Sequence, residues 1–526
     1  MNLYKYLESA AADAPDKLFL VKQGASYAAF MKLVRARAAT IAARGIVAGD
    51  VVGILARNIP EYVISAFAIW FLGGRVLLLD NKLTNGDYEK MSAAANAKLV
   101  LAENQFIFDS PGIKFADIEK SDDDDGGNLK PHDTDGAEIA SLSFTSGSTG
   151  TPKIVPLTHD NLIAAANGLE DLHDFVGRGD DFLLFLPLYH IFGLAFITLH
   201  AMHYRGGIIL ETSSNPREII KNFRIYKPRV VPAVPRIWEI IKNMIVDLYK
   251  EKGSWNFAKF VLRHQKFFNA IGLKQMVRQV QWPVHEMFGR TQVSAIGGGA
   301  AVKTDVMKFF EWFGFDFLQG YGLTEGSGPN TVSLPHRHRV IGSVGKPLTP
   351  NEFEIRSRDR DGIGALCLRG PMIFHGYLNN PDATADALDK NGWLNTGDLA
   401  SVDKNGEIHI HGRAKNIIVL DSGKNVYPDE LEAHYIKIEG VKNVLVIERV
   451  LNGKTVAYGL FQVEPGVALD DLSARIAAMN AGIGSYKRVV NFAMTTEDFP
   501  LTSSGKNKHF EAKKLLEQGK YPLRKE

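Results

Sequence analysis

Short apolar runs alternate with longer mixed segments along the N-terminal two thirds of the chain. The runs at 51–55, 75–79 and 98–101 predict buried strands, and the stretch at 59–72 predicts an amphipathic helix. Strands that alternate with helices in this way usually pair in parallel, with the helices covering the sheet. The pattern therefore predicts an α/β fold that contains a parallel sheet.

The pattern changes after about residue 350. Polar and apolar residues then alternate singly at 352–356, 364–369 and 407–411, as in half-buried antiparallel strands. Beyond residue 415 the chain has strand and helix patterns of its own, over roughly 110 residues, which is enough for a small domain. We predict a mixed α/β protein: a large N-terminal domain of helix-covered sheets plus a β-rich subdomain at 1–412, and a small α+β C-terminal domain at 416–526.

An apolar stretch at 183–202 is about as long as a membrane span. Pro187, Tyr189, His190 and Gly193 interrupt its middle, where lipid offers no partners for polar groups. A buried strand, a turn and a helix fit the stretch better. No basic segment followed by an apolar run opens the chain, so we expect no secretory signal and a soluble, cytoplasmic protein.

Composition narrows the class of protein. The 526 residues include 61 Lys and Arg against 59 Asp and Glu, which gives a formal charge of +2, and 45% are hydrophobic. These values exclude a disordered chain and a collagen-like repeat, and they argue against a nucleic-acid partner. The single cysteine, Cys367, cannot form an intrachain disulfide and favours a reducing compartment.

The segment 143–153, S-F-T-S-G-S-T-G-T-P-K, combines hydroxyls, two glycines and a lysine directly after a predicted strand. Glycines let backbone N–H groups approach an anion, and hydroxyls and a lysine complete a phosphate cradle. A Walker P-loop is excluded, because Pro152 precedes Lys153 and Ile154 follows it. We therefore predict a phosphate loop of another kind.

The order of motifs along the chain resembles that of the adenylate-forming superfamily, which includes acyl-CoA synthetases, luciferase-like enzymes and peptide-synthetase adenylation domains. The chain carries six segments similar to the motifs of that superfamily, in the same order: T-S-G-S-T-G-T-P-K at 145–153, P-L-Y-H-I-F-G at 187–193, G-Y-G-L-T-E at 320–325, Trp393 with T-G-D at 396–398, G-R-A-K at 412–415, and P-L-T-S-S-G-K at 500–506.

The resemblance implies a catalytic set of Lys506, Glu325, Thr324 and His190. Lys506 would bridge a substrate carboxylate and the α-phosphate of ATP, two anions that need positive charge between them. Glu325 would hold Mg²⁺, which prefers carboxylate and phosphate oxygens. The role of His190 would be shape and gating. Lys415, in the segment 413–415, would be the hinge about which a mobile C-terminal domain swings.

The resemblance also implies contacts for each substrate. The ATP or AMP contacts would be Thr145, Ser146, Gly147, Ser148, Thr149, Gly150, Lys153, Gly298, Gly299, Ala300, Gln319, Gly320, Tyr321, Gly322, Thr324, Asp398 and Arg413. The acid pocket would include His190, Phe192, Gly193, Val234 and Gly297, where the small residues at Gly193 and Gly297 are expected to leave room. The CoA contacts would be Ser422, Gly423, Lys424 and Lys487.

These motifs imply an AMP-forming acid–thiol ligase that uses ATP, Mg²⁺ and CoA. A carboxylic acid, a medium- or long-chain fatty acid or an aryl acid, would form an acyl adenylate and then pass to the CoA thiol. Two alternatives stay open: an enzyme that loads a carrier-protein phosphopantetheine, and a non-catalytic nucleotide-binding protein of the same fold. The sequence does not distinguish a monomer from a homodimer.

Overall fold

The structure is a computed structural model that describes residues 1–120, 126–127, 129–145, 153–168, 172–213, 215–289, 292–334, 342–422, 424–500 and 507–521. Its internal contacts divide the chain into two compact units. The first comprises Met1–Phe353 and Leu368–Leu394, and the second Glu354–Cys367 and Asn395–Glu526. The domain boundary and hinge at 413–415 stay a prediction.

The α-helices, in chain order, are α1 (Leu3–Asp13), α2 (Tyr27–Ala42), α3 (Pro60–Phe71), α4 (Asn85–Ala94), α5 (His159–Asn167), α6 (His200–His203), α7 (Pro216–Tyr226), α8 (Pro235–Glu251), α9 (Trp255–Arg263), α10 (Gln265–Ala270), α11 (Lys274–Met287), α12 (Thr304–Trp312), α13 (Pro381–Ala387), α14 (Pro428–Tyr435), α15 (Leu469–Ala481) and α16 (His509–Glu517).

The strands are β1 (Leu18–Leu20), β2 (Ala25–Ser26), β3 (Val51–Leu55), β4 (Arg75–Leu78), β5 (Ala97–Ala102), β6 (Phe115–Asp117), β7 (Ile139–Thr145), β8 (Lys153–Thr158), β9 (Phe182–Leu184), β10 (Ile208–Leu210), β11 (Val230–Ala233), β12 (Ser294–Gly297), β13 (Asp316–Leu323), β14 (Gly328–Ser333), β15 (Lys346–Pro347), β16 (Glu352–Arg356), β17 (Gly364–Arg369), β18 (Leu394–Val402), β19 (Ile408–Arg413), β20 (Ile418–Val419), β21 (Asn425–Val426), β22 (Val441–Leu451), β23 (Lys454–Val463) and β24 (Asn491–Thr495).

A six-stranded sheet in the first unit has the order β6-β5-β3-β4-β7-β8. The strand β3 pairs in parallel with both β4 and β5. These are the strands that the apolar runs at 51–55, 75–79 and 98–101 predict, so the predicted parallel sheet is confirmed. The strands β7 and β8 close the edge as an antiparallel hairpin.

The helix α3 lies where the sequence predicts one but is not amphipathic. Ten of its twelve residues are buried, and the indole of Trp70 donates a hydrogen bond to the Ala140 carbonyl at 2.9 Å. A helix that is apolar on every face belongs to the interior of a protein. The expectation of a polar face is therefore wrong.

A nine-stranded sheet in the same unit has the order β15-β14-β13-β12-β11-β9-β10-β1-β2. The strands β9 to β13 pair in parallel within it. The apolar stretch at 183–202 forms β9, a turn, a π-helix at Phe192–Leu199 and α6, which confirms the predicted strand, turn and helix. Within the described ranges, no helix is both long enough and apolar enough to span a membrane.

The C-terminal part of the chain is rich in antiparallel strands. The strands β16 to β19 form one four-stranded sheet, and β22, β23 and β24 form a three-stranded sheet in the second unit. An apolar core that includes Tyr435, Phe461 and Phe492 packs this sheet against α14 and α15. The mixed α/β class is confirmed, as are the strand and helix patterns beyond residue 415.

Candidate functional site

The carboxyl ends of β11, β12 and β13 bring several of the predicted site residues to one edge of the nine-stranded sheet. Ala233 pairs with Gly297, and Gly297 pairs with Gln319. The strands β11 and β12 end here, so Val234 and Gly298 leave the sheet beside Gly320, where β13 continues in its pairing with β14. In α/β sheets, ligands bind at this edge.

Aromatic and aliphatic side chains pack against the glycines of this edge. The ring of Phe192 lies so close to Gly298 that a Cβ atom there would be 3.0 Å from Cε1 and Cζ of the ring. A Cβ at Gly299, which has a left-handed φ of +80°, would lie 3.6 Å from Cγ1 of Val234. The structure thus joins two predicted acid-pocket residues to the predicted ATP or AMP contacts at 298–300, of which the last, Ala300, is exposed.

Gly193 and Gly297 do not leave room for a substrate. A Cβ at Gly193 would lie 2.3 Å from the carbonyl oxygen of Pro187, and one at Gly297 would lie 2.4 Å from Cγ2 of Val302. The space that a side chain would take is already filled by the protein itself. The expectation that these two glycines open the pocket is wrong, and their role is close packing.

His190 lies in the turn between β9 and the π-helix, with its ring 4.6 Å from that of Tyr189. Burial lowers the pKa of His190, so its imidazole is neutral at pH 7. Its buried Nε2 has no hydrogen-bond partner among the described residues. The role of His190 in shape and gating stays a prediction.

The segment Gln319-Gly320-Tyr321-Gly322 ends β13 and contains a β-bulge at Tyr321 and Gly322. Gln319 is buried, and its N–H donates to Ser333 Oγ at 3.3 Å. A Cβ at Gly322 would lie only 1.9 Å from the carbonyl oxygen of Gly328, so no side chain fits there. Glycine at position 322 is thus required by packing, whatever Tyr321 binds.

We predict that Gly322→Ala destabilises the protein by roughly 1–3 kcal/mol, because the backbone at Gly328 must move. Gly320→Ala is the matched control, since a Cβ at Gly320 would meet its nearest neighbour at an ordinary 3.7 Å. Thermal or urea unfolding measures the difference. Equal loss of stability in both variants would contradict the packing role of Gly322.

Glu325 and Lys153 are brought together by Tyr377, a residue that the sequence analysis missed. Thr324 and Glu325 form a single turn of 3₁₀ helix directly after β13. The hydroxyl of Tyr377 donates to Oε1 of Glu325 at 2.8 Å, and Nζ of Lys153 lies 4.7 Å from the centroid of the Tyr377 ring. The sequence offered one sign of this residue, a glycine followed by a tyrosine in the turn-rich stretch at 374–381.

Tyr377→Phe tests this link, because it keeps the ring beneath Lys153 and removes only the hydroxyl. Hydrogen bonds to charged groups contribute more than neutral ones, so we expect about a tenfold loss in the rate of adenylate formation. Tyr377→Ala should cost more, since the ring is also lost. Undiminished rates in pyrophosphate exchange for both variants would rule out a positioning role for Tyr377.

The two ends of the predicted phosphate loop lie side by side. Thr145 at the end of β7 pairs with Lys153 at the start of β8. The hairpin therefore fixes both anchors of the loop. The predicted contacts Ser146, Gly147, Ser148, Thr149 and Gly150 lie outside the described residues.

Two of the predicted ATP or AMP contacts, Asp398 and Arg413, pair with each other in the second unit. Asp398 and Arg413 are opposite each other in β18 and β19, and Nε of Arg413 lies 2.9 Å from Oδ1 of Asp398. Arg413 Nη1 also donates to the carbonyl of Thr396 at 3.0 Å. The Asp398 side chain is mostly buried and that of Arg413 is half-exposed, so the ion pair has one face toward solvent.

The predicted CoA contacts Lys424 and Lys487 flank one aromatic ring in the second unit. Their Nζ atoms lie 4.5 Å and 6.0 Å from the centroid of Tyr486. Lys487 also pairs with Glu430 at 2.8 Å.

Two other predicted residues of this unit lie in turns. Ser422 lies in an exposed turn, and Lys415, the predicted hinge residue, lies in a 3₁₀ turn after β19. Gly423 and Lys506 are outside the described residues.

Asp429, Glu432 and His509 form a titratable cluster in the second unit that the sequence analysis missed. Nε2 of His509, the first residue of α16, lies 2.7 Å from Oε1 of Glu432 in α14. A side-chain oxygen of Asp429 lies within 4.8 Å of both partners. Burial alone would lower the pKa of His509, but the hydrogen bond to Glu432 and the charge of Asp429 raise it.

This raised pKa predicts a pH-dependent stability. Protonated His509 stabilises the folded chain fully below its unfolded pKa of about 6.5, and the contribution is lost as pH rises through the folded pKa. The difference in unfolding free energy between the protein and His509→Ala should therefore shrink as pH rises from about 6 to about 8. Urea unfolding at several pH values measures it.

His434→Ala is the control for this series, because Nε2 of His434 bonds the backbone carbonyl of Met479, which does not titrate. A difference for His509→Ala that stays constant across the pH range would show that the ion pair with Glu432 contributes nothing.

Comparison with known proteins identifies the family. Residues 7–378 match the model of the AMP-binding enzyme family. The chain belongs to this family, and its resemblance to the adenylate-forming superfamily is thereby confirmed.

The chain is similar to ligases for fatty acids and an aryl acid. The long-chain-fatty-acid–CoA ligase ACSBG2 of Homo sapiens is 26% identical over 481 residues, which cover 86% of this chain and 71% of the relative. The long-chain-fatty-acid–CoA ligase FadD15 of Mycobacterium bovis is 33% identical over 317 residues, covering 56% of this chain and 50% of the relative. The chain thus spans about half the length of the mycobacterial relative.

A solved structure confirms the fold. The o-succinylbenzoate-CoA synthetase MenE of Bacillus subtilis, in complex with AMP, superposes with a TM-score of 0.78 at 21% identity, covering 97% of this chain and 98% of the other.

Proposed function

We propose that the protein is an ATP-dependent carboxylate–CoA ligase. A carboxylate oxygen attacks the α-phosphorus of ATP, the bond to pyrophosphate breaks, and an acyl adenylate forms. The CoA thiol then attacks the acyl carbon and releases AMP. Family membership and the ligase names of the relatives support this reaction.

The observation that carries the proposal is the convergence of Lys153, Tyr377 and Glu325 in the first unit. The cation of Lys153 lies over the ring of Tyr377, and the carboxylate of Glu325 accepts a hydrogen bond from its hydroxyl. A lysine can bind a phosphate oxygen directly. A carboxylate can bind a metal ion that is itself bound to phosphates. This arrangement of charges fits a nucleoside triphosphate better than it fits an uncharged ligand.

The donor set also fits Mg²⁺. Glu325 is half-buried and offers carboxylate oxygens, and Thr324 beside it offers a hydroxyl. Hard cations such as Mg²⁺ take oxygen ligands and keep several waters or substrate phosphates. When bound, Mg²⁺ would neutralise part of the phosphate charge, while Tyr377 holds Glu325 in place through its hydroxyl.

The carboxylic acid that fits the candidate pocket carries an apolar chain or ring. Phe192 and Val234 line the edge beside Gly298 and Gly299, and the imidazole of His190 is neutral. An apolar chain or an aromatic ring gains from these walls, whereas a second carboxylate would lose its hydration there. We propose a medium- or long-chain fatty acid or an aryl acid as substrate.

CoA is the proposed acceptor. The cations Lys424 and Lys487, with Tyr486 between them, offer positive charge and a ring to a phosphorylated adenine nucleotide. Lys487 must then leave its partner Glu430 to bind a phosphate, so the lost ion pair offsets part of the binding free energy. A carrier-protein phosphopantetheine lacks the nucleotide that these groups would contact.

The test incubates the protein with ATP, Mg²⁺ and a panel of fatty and aryl acids, with and without CoA, and identifies products by mass spectrometry. We expect AMP, pyrophosphate and one preferred CoA thioester. Lys506→Ala and Glu325→Gln should each lower pyrophosphate exchange by about 10²–10³. Glu354→Gln is the control, since Glu354 is half-exposed and outside the predicted site.

Three outcomes would overturn parts of the proposal. ADP as the product, or no nucleotide turnover with any acid, would reject adenylate formation. An adenylate that accumulates and transfers to pantetheine-loaded carrier protein but not to CoA would reject CoA as acceptor. Pyrophosphate exchange that persists in Lys506→Ala would reject the catalytic role of that lysine.

A further inference from the structure

The helices α9, α10 and α11 expose an unusual number of large apolar side chains. Among the described residues, eighteen large hydrophobic side chains are exposed, and six of them lie between residues 257 and 282. Isolated exposed apolar residues are normal, but a concentration of them marks an interaction site. The six are Phe257, Phe260, Phe267, Ile271, Leu273 and Trp282.

These exposed side chains are distinct from the residues by which the helices pack against the rest of the first unit. Ala258, Val261 and Leu262 of α9 and Val277 and Val284 of α11 are already buried against the protein. The exposed phenylalanines Phe257, Phe260 and Phe267 are between 55% and 60% accessible. Much of their apolar area is therefore accessible to a partner outside the chain.

Three phenylalanine rings of this surface adjoin one another. Half-buried Phe268 lies 5.8 Å from Phe260 and 5.6 Å from Phe267, measured between ring centroids. The three rings thus join α9 to α10. Leu273, in the turn that follows α10, extends the apolar surface toward α11.

The same surface is strongly basic. Residues 252–285 contain six Lys or Arg and no Asp or Glu, in a chain whose formal charge is only +2. All six are exposed, and no ion pair engages them within the described ranges. The six are Lys252, Lys259, Arg263, Lys266, Lys274 and Arg278.

We propose that this basic helical surface, residues 252–285, binds the surface of an anionic lipid membrane. Phenylalanine, leucine and tryptophan side chains would enter the boundary between head groups and acyl chains, while the lysines and arginines contact lipid phosphates. Helices with this combination lie in the membrane interface without crossing it. The proposal does not depend on the ligase activity.

Charge decides between a membrane and a second copy of the chain. A two-fold dimer through this surface would place the same six cations of both copies against each other. Like charges across an interface oppose association. An anionic membrane instead satisfies both the apolar patch and the cations around it.

The test is flotation of the full chain with two kinds of vesicle: phosphatidylcholine alone, and equal parts of phosphatidylcholine and phosphatidylglycerol. We expect binding to the anionic vesicles only, and loss of binding when the salt rises from about 0.1 M to about 1 M, because charges are then screened. Anionic vesicles that leave the protein unbound at low salt would overturn the proposal.

Two variants separate the apolar and the charged contributions. Phe257→Ser with Phe267→Ser should weaken vesicle binding about tenfold, through the apolar area lost. Lys259→Glu with Lys266→Glu should do the same through charge. The matched controls are Val47→Ser and Lys32→Glu, which change an exposed apolar and an exposed cationic residue elsewhere in the first unit and should bind as the unchanged protein does.

Four further measurements distinguish the possible outcomes. Circular dichroism and thermal unfolding confirm that the variants fold, and pyrophosphate exchange should be unchanged in all of them, so a failure of the ligase proposal shows separately. Analytical ultracentrifugation reports the oligomeric state. A dimer that the Phe257→Ser, Phe267→Ser variant converts to a monomer would overturn the membrane proposal and assign the surface to a second copy.

Discussion

The alignment of three neighbouring parallel strands is the constraint on which the candidate site of the first unit depends. Ala233, Gly297 and Gln319 lie side by side in β11, β12 and β13, so β11 and β12 end at the level from which β13 continues beside β14. Parallel pairing fixes this level through evenly spaced backbone hydrogen bonds. Glu325 follows β13 by two residues, so its position is set by the same register.

Buried strands and the order of motifs could be predicted from the sequence, because both are local. A strand such as β3, buried on both faces, is a continuous apolar run. The contact between Tyr377 and Glu325 joins residues 52 positions apart, and that between His509 and Glu432 joins residues 77 apart. Only tertiary packing makes such pairs. The same packing explains why Gly193, small in sequence, leaves no space in the structure.

Average composition and local surface chemistry lead to different conclusions about binding. A formal charge of +2 over 526 residues argues against a charged partner that is attracted by the electrostatic field of the whole protein. The charge of a single surface is a separate quantity, because charges more than about 10 Å apart are largely screened at 0.1 M salt. The acid-free stretch at 252–285 is balanced in the total by acidic residues elsewhere, so the sum conceals it.

The closely packed glycines at 193, 297 and 322 limit how the choice of acid can change by mutation. Positions 193, 297 and 322 have no volume for a side chain, so a substitution at any of them is a folding defect before it alters selectivity. Phe192 and Val234 carry side chains that a smaller or larger residue can replace. Under the proposed function, selection or engineering for a new acid must therefore act first on these two walls, and relatives with different acids should diverge there while the edge itself stays fixed.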